Sequence, residues 1–203
     1  RHPDVRRTGL AGLVTLLVLA GAGAGVNAYA GYAPDLTTLL RTTPDLLRGG
    51  STARPGQSAA LPGTGRYPAE LVALVRSDPA DRIPPGANWV YLPPGYTDPV
   101  NAHRRYPVVY LVHGWPGTPW DWFGAGEAGR TAVTMQREHL IQPMILVSVN
   151  AGAGTPKDTE CLDSTTGGPR IQTFLSSTLV ADVDHAYRTI RGRTGRAVGG
   201  VSS

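Results

Sequence analysis

Apolar positions along this chain fall into one long block near the start and a series of short runs in the second half. The block is uncharged from Thr8 to Tyr32, is most apolar over residues 10–24, and follows Arg6 and Arg7. About 20 apolar residues suffice for a helix to cross a bilayer. A basic flank orients such a helix with its N-terminus inside and the rest of the chain outside. The pattern predicts an N-terminal transmembrane helix within residues 1–32, contacting the membrane through residues 8–32. The competing reading is a signal segment cleaved at Ala28-Tyr29-Ala30. Either way the rest is exported, as a single-pass membrane protein with an extracytoplasmic domain or as a secreted one. Residues 33–66 hold one weak helical patch interrupted by Pro44, then a stretch rich in Gly, Ser, Pro and Ala with little to bury. They predict a flexible tether.

The short runs begin near Tyr67. Glu70-Leu-Val-Ala-Leu-Val-Arg76 and Asn88-Trp-Val-Tyr-Leu92 predict an antiparallel pair, with turns at Asp78-Pro79 and Pro84-Pro85-Gly86 between them. Tyr106-Pro-Val-Val-Tyr-Leu-Val112 and Pro143-Met-Ile-Leu-Val-Ser-Val149 are almost continuously apolar, the mark of strands buried on both faces. Residues 197–201 predict a third such strand. Residues 130–139 are helical in pattern. Over 171–190, Leu175, Leu179, Val183 and Tyr187 recur every fourth residue, with Ile171 and Ile190 on the same side. Arg188, Arg191 and Gly192 suit the end of that helix. Strand, helix and strand in succession imply parallel pairing through right-handed crossovers. The fold class is therefore α/β: a mostly parallel sheet with helices on both faces, filling residues 67–203.

Composition removes several function classes. The chain has 203 residues, 41% of them hydrophobic, which is enough for a core. The net charge of +4 comes almost wholly from scattered arginines, since Lys157 is the only lysine. No basic stripe interleaves with aromatics, so no nucleic-acid partner is expected. Cys161 is the only cysteine, so it cannot pair within this chain; it reads either as a small loop residue or as half of a disulfide whose partner could lie beyond Ser203. No cluster of ligand residues appears, and the glycine-rich tracts do not follow a strand. No metal or cofactor is expected.

The chemistry sits at the ends of the apolar runs. Gly200-Val201-Ser202-Ser203 reads as the start of a nucleophile elbow, in which a serine sits on a tight strand-to-helix turn between small residues. Gly200 stands two places before Ser202, which makes Ser202 the candidate nucleophile. His113-Gly114-Trp115-Pro116-Gly117 ends the earlier buried strand. Ligands bind at the carboxyl ends of parallel strands, so both motifs open onto one edge. Acyl transfer needs two N–H donors aimed at the developing oxyanion. Ser203 and Trp115 are the candidates, with Gly114 freeing the backbone and His113 shaping the loop. Trp115, Trp120 and Trp122 either pack beneath this loop or wall an acyl pocket. Asp182 and Asp184 read as solvated helix charges, and His139 and His185 as surface residues.

Trp89-Val-Tyr-Leu-Pro-Pro-Gly-Tyr96, the strand ending at His113-Gly114, Asp121-Trp122 and the Gly200–Ser203 segment together resemble an esterase family of α/β-hydrolases. That family holds esterase D-type enzymes, feruloyl and acetyl-xylan esterases, enterochelin esterases and the antigen 85 mycolyltransferases. The resemblance implies the α/β-hydrolase fold over roughly residues 70–203, and an Asp121-Trp122 pair that fixes the oxyanion loop. It implies a serine esterase working through an acyl-enzyme on Ser202, against a small-molecule or envelope ester. The triad acid and histidine follow the serine in this family and are expected beyond residue 203. Two alternatives stay open. One is an envelope acyltransferase, although the mycolyltransferase loop reads Asp-Gly-Leu where this chain has His113-Gly114-Trp115. The other is a non-catalytic envelope-binding protein on the same fold.

Overall fold

The computed structural model describes residues 12–15, 17–18, 21–22, 58–61, 65–153 and 158–201. The chain divides into two units, residues 1–43 and 44–203. In the first, the described residues are helical, with Leu13, Val14, Leu17 and Val18 more than half exposed. No helix among the described residues is long and apolar enough to cross a membrane. The transmembrane helix expected over 8–32 is thus not found there, and most of that segment lies outside the described residues.

The second unit is built on a six-stranded sheet. Its strands are β1 (Ser58–Ala60), β2 (Glu70–Asp78), β3 (Ile83–Leu92), β4 (Val108–Val112), β5 (Ile145–Val149) and β6 (Arg196–Gly200), in the order β1-β2-β3-β5-β4-β6. The sheet is mixed rather than mostly parallel. β4 pairs in parallel with β5 and with β6, while β1, β2 and β3 run antiparallel and join β5 antiparallel. The hairpin sequence put the antiparallel half beside the crossover half.

Other expectations shift at their edges. Ser58–Ala60, expected in the tether, forms β1 on the edge of β2, because ladder bonds need backbone groups and not apolar side chains. Pro84 and Pro85 lie inside β3 rather than in a turn. The ladder skips there, pairing Arg76 with Gly86 and Asp78 with Ile83. A bulge tolerates residues that cannot donate a hydrogen bond. Residues 197–200 do form a strand, but not one buried on both faces. β6 is the sheet edge among the described residues, and Val198 is 75% exposed.

The buried strands alternate faces as extended chain must. On one face Val108, Tyr110, Ile145 and Val147 meet α2 through Ile171, Phe174, Leu179 and Val183. On the other, Leu111, Leu146, Trp89 and Tyr91 meet Ala132 of α1 and Phe123 in the segment before it. The helix α1 is Ala128–Arg137; α2 is a turn at Ile171–Thr173, a π-helical stretch at Phe174–Thr178, and regular helix at Leu179–Ala186. Each large side chain buried here stabilises the fold by about 1.5–3 kcal/mol. The helix ends four residues before the sequence pattern does. Tyr187 turns extended, and Arg188–Ile190 runs beside Tyr106, with Tyr106 N–H bonded to Arg188 O and Ile190 N–H to Tyr106 O. Backbone pairing to the start of β4 outcompetes another helical turn, and leaves Ile190 exposed.

Candidate active site

Parallel pairing fixes what meets at the carboxyl edge of the sheet. Val112 at the end of β4 is in register with Gly200 at the end of β6 and with Val149 at the end of β5. Val201 N–H reaches Val112 O at 3.3 Å. Gly200 and Val201, which lead into the candidate elbow, therefore lie against the strand that launches His113-Gly114-Trp115. A Cβ on Gly200 would stand 3.4 Å from the Val112 Cβ and 3.5 Å from its carbonyl oxygen, ordinary contact rather than overlap. Any demand for glycine at 200 thus comes from the turn that follows. Ser202 and Ser203 lie outside the described residues.

The loop after β4 is held tightly. His113 is 7% exposed, with Nδ1 2.9 Å from Gly114 O and a buried Nε2 that has no partner among the described residues. Gly117 N–H closes a turn onto Gly114 O at 2.8 Å. Asp121 fixes the far side: one carboxylate oxygen accepts from Thr118 N–H at 3.0 Å and the other from Thr118 Oγ1 at 2.9 Å. Bonds to a charged acceptor are the stronger kind. The expected role of Asp121 in fixing this loop has a direct geometric basis. The Trp115 N–H makes no hydrogen bond among the described residues.

The three tryptophans divide between the two readings. Trp120 packs edge-on to Trp89 at 4.8 Å, and Trp120 and Trp122 join the core on the α1 face. Trp115 alone is 52% exposed at the site edge.

A wall of the site was missed by sequence reasoning. Ala151, Gly152 and the segment from Asp158 to Cys161 line a small cavity with His113, Gly114 and Trp115. Its volume of ≈ 20 Å³ holds about one water molecule, far below the several hundred Å³ of a small-molecule pocket. The available signal was topological, because this loop leaves the carboxyl end of β5 and must lie on the same edge. Asn88, buried in β3, anchors the loop's start: its Oδ1 accepts from Asn150 N–H at 2.9 Å and its Nδ2 donates to Leu74 O at 3.2 Å. Asp163 anchors the far end. Its carboxyl is held below the usual range by bonds from the Thr173 side chain and backbone. Burial, and then the charge of Asp158, push the Cys161 thiol up, away from the reactive thiolate.

The remaining titratable residues serve the fold. Asp184 is not a solvated charge: it accepts from Thr189 Oγ1 at 2.6 Å and pairs with Arg196, which ties α2 to β6. Asp182 pairs with Arg76 at 2.9 Å. His103 and His139 are exposed on the loops that lead into β4 and β5, at the end of the sheet opposite the site, and His185 is exposed on the last turn of α2. None of them reaches the carboxyl edge. No group of residues that could hold a metal occurs among the described residues.

A comparison with family models matches residues 88–203, more than half of the chain, to the family described as Putative esterase. The chain belongs to this esterase family. An uncharacterised protein of Corynebacterium glutamicum is 30% identical over 114 residues, covering 56% of this chain and 26% of that protein. The endo-1,4-beta-xylanase/feruloyl esterase of Xylanibacter ruminicola is also 30% identical over 114 residues, covering 56% of this chain and 15% of that protein. This esterase-family chain therefore spans about a quarter or less of the length of these relatives. Among solved structures, a ferulic acid esterase superposes with a TM-score of 0.56 at 23% identity, covering 67% of this chain and 49% of the other. A ferulic acid esterase of Anaeromyces mucronatus, solved with ferulic acid, gives 0.53 at 16% identity, covering 74% and 57%. At these identities the likeness speaks for the α/β-hydrolase fold.

Proposed function

We propose that this chain contributes the nucleophile and oxyanion loop of a serine carboxylic-ester hydrolase. The observation that supports it most is the register of Val112 with Gly200, which sets the strand leading to Ser202 beside the strand that launches the loop containing Trp115. Ser202 attacks the ester carbonyl, and the N–H groups of Trp115 and Ser203 hold the oxyanion. A histidine oriented by an acid takes the serine proton and returns it to the departing alcohol. Water then cleaves the acyl-enzyme by the same route. The base and acid come from outside the described residues: no described histidine but His113 lies at this edge, and His113 precedes the serine, whereas the order in these hydrolases is serine, acid, histidine. The feruloyl esterase names among the relatives make an aromatic acyl ester the first substrate class to try, with exposed Trp115 as a stacking surface.

We further propose that the domain acts outside the cytoplasm, tethered by the apolar run 8–32 or released after its cleavage. The exposed, helical Leu13, Val14, Leu17 and Val18 support this reading.

The test is active-site labelling of the full-length protein with a fluorophosphonate, alongside hydrolysis of methyl ferulate. Labelling that disappears in Ser202→Ala, together with loss of turnover, is the expected result. Labelling that survives Ser202→Ala would move the nucleophile elsewhere and end the proposal.

A further inference from the structure

The end of the sheet opposite the candidate site has a character that the proposed chemistry does not use. The loop from β3 to β4 and residues 187–191 meet there through the Tyr106–Thr189 bridge. This brings together Arg104, Arg105, Arg188 and Arg191. None of the four is in an ion pair among the described residues. Their guanidiniums bind neutral groups instead. Arg105 donates to Thr189 O at 3.1 Å, Arg188 Nε to Arg104 O at 3.3 Å, and Arg191 to Asp184 O at 3.4 Å. Arg188 lies over the Tyr96 ring at 3.9 Å and Arg104 over the Tyr106 ring at 5.3 Å. The acids closest in sequence are already engaged, Asp98 with the Val100 N–H and Asp184 with Thr189 and Arg196. Asp98 keeps its charge and Glu138 lies beside the depression. None of the described carboxylates is within ion-pair distance of these four arginines, so positive charge is held in place and predominates here.

Large apolar side chains project at the same end. Val100 is 83% exposed in the β3–β4 loop, Leu140 66% in the loop before β5, and Ile190 38% beside Tyr106. Between Arg104 and Leu140 lies an open depression of ≈ 500 Å³, lined also by Gln136, His139 and Ile141. Arginines interleaved with protruding apolar residues fit a bilayer surface. The cations meet anionic headgroups while the apolar side chains enter the acyl boundary.

We infer that this end of the sheet docks on an anionic phospholipid bilayer. Five-residue strands at about 3.3 Å per residue then hold the catalytic edge about 17 Å further out, facing away from the membrane. The enzyme would work on esters presented from the far side rather than on lipids of the bilayer it rests on.

The experiment uses the full chain with Cys161→Ser, and an environment-sensitive fluorophore on a cysteine placed by V100C, L140C or, near the site edge, L162C. Each is mixed with vesicles of phosphatidylcholine alone or of phosphatidylcholine with phosphatidylglycerol. The apolar run 8–32 adsorbs to either kind, so the position of the label decides. We expect a blue shift at positions 100 and 140 on the anionic vesicles alone, and none at 162. Replacing Arg104, Arg105 and Arg191 together by Gln should weaken that response about a hundredfold, at about fivefold per charge. Equal shifts at all three positions, no anionic dependence, or an unchanged response in the triple variant would each overturn the inference. So would a shift at 100 and 140 with soluble polyphosphate but not with vesicles.

Discussion

Gly117→Ala tests whether the loop after β4 is a rigid part of the reaction. An added Cβ would overlap the Asp121 Oδ2 outright and stand 2.7 Å from the Gly114 carbonyl oxygen, where about 3.5 Å is the comfortable separation. Neither obstacle is free to swing away. The Asp121 carboxylate is fixed by two bonds from Thr118, and Gly114 O accepts from Gly117 N–H and lies 2.9 Å from His113 Nδ1. If Asp121 moves, two bonds to a charged acceptor are lost, at the lower end of about 1.5–3 kcal/mol each for partly exposed groups. If the turn moves instead, the Trp115 N–H is displaced from the oxyanion position proposed for it, and loss of one such donor costs about 10²–10³ in kcat. The expected outcome is kcat lower by about a hundredfold or more, KM nearly unchanged, and a thermal midpoint lower by several degrees. Methyl ferulate hydrolysis by the full-length enzyme, with a melting curve of the same sample, reads both. A variant with the parental kcat and a lowered midpoint would remove Trp115 from the oxyanion hole and leave the loop a structural role only.

Two further predictions rest on buried groups. Asn88→Ala leaves Leu74 O and Asn150 N–H without their partner inside the domain. At about 1–3 kcal/mol per unsatisfied group, denaturant unfolding should show a loss of about 2–6 kcal/mol; a loss below the error of the fit would mean that the 150s loop re-forms its contacts. Burial pushes the Tyr110 hydroxyl, and likewise that of Tyr187, up to about 12 from the ordinary tyrosine value of about 10. The folded state thus keeps protons that the unfolded state releases, so stability is full below pH ~10 and falls as pH rises towards ~12. Tyrosinate absorbance should appear together with unfolding in that window, and ionisation of all tyrosines near pH 10 without unfolding would contradict the burial.

The local pattern of the chain determined which residues become β2 to β5 and α1, because continuous apolar runs and a 3.6-residue repeat are one-dimensional signals. The Gly200-Val201-Ser202 and His113-Gly114 motifs could be read as candidates because each is written in adjacent residues, while the loop-fixing role of Asp121 came from the family resemblance and has its geometric basis in the bonds from Thr118; Ser202 lies outside the described residues. What depends on a neighbour was not. Whether residues 196–200 are buried depends on what lies beside the strand, and here β6 is the edge among the described residues. Where α2 stops was decided by Tyr106, which offers Arg188 and Ile190 backbone partners that no helical repeat encodes. Asp184 became an ion-pair residue only because β6 brings Arg196 to it, and Cys161 became part of the site wall only because β5 lies beside β4. The arginines that gather at Tyr106 and Thr189 are scattered along the sequence, and only the fold makes one surface of them. Periodicity constrains a residue against its own segment, whereas burial, charge pairing and the edge of a sheet are properties of segments that meet.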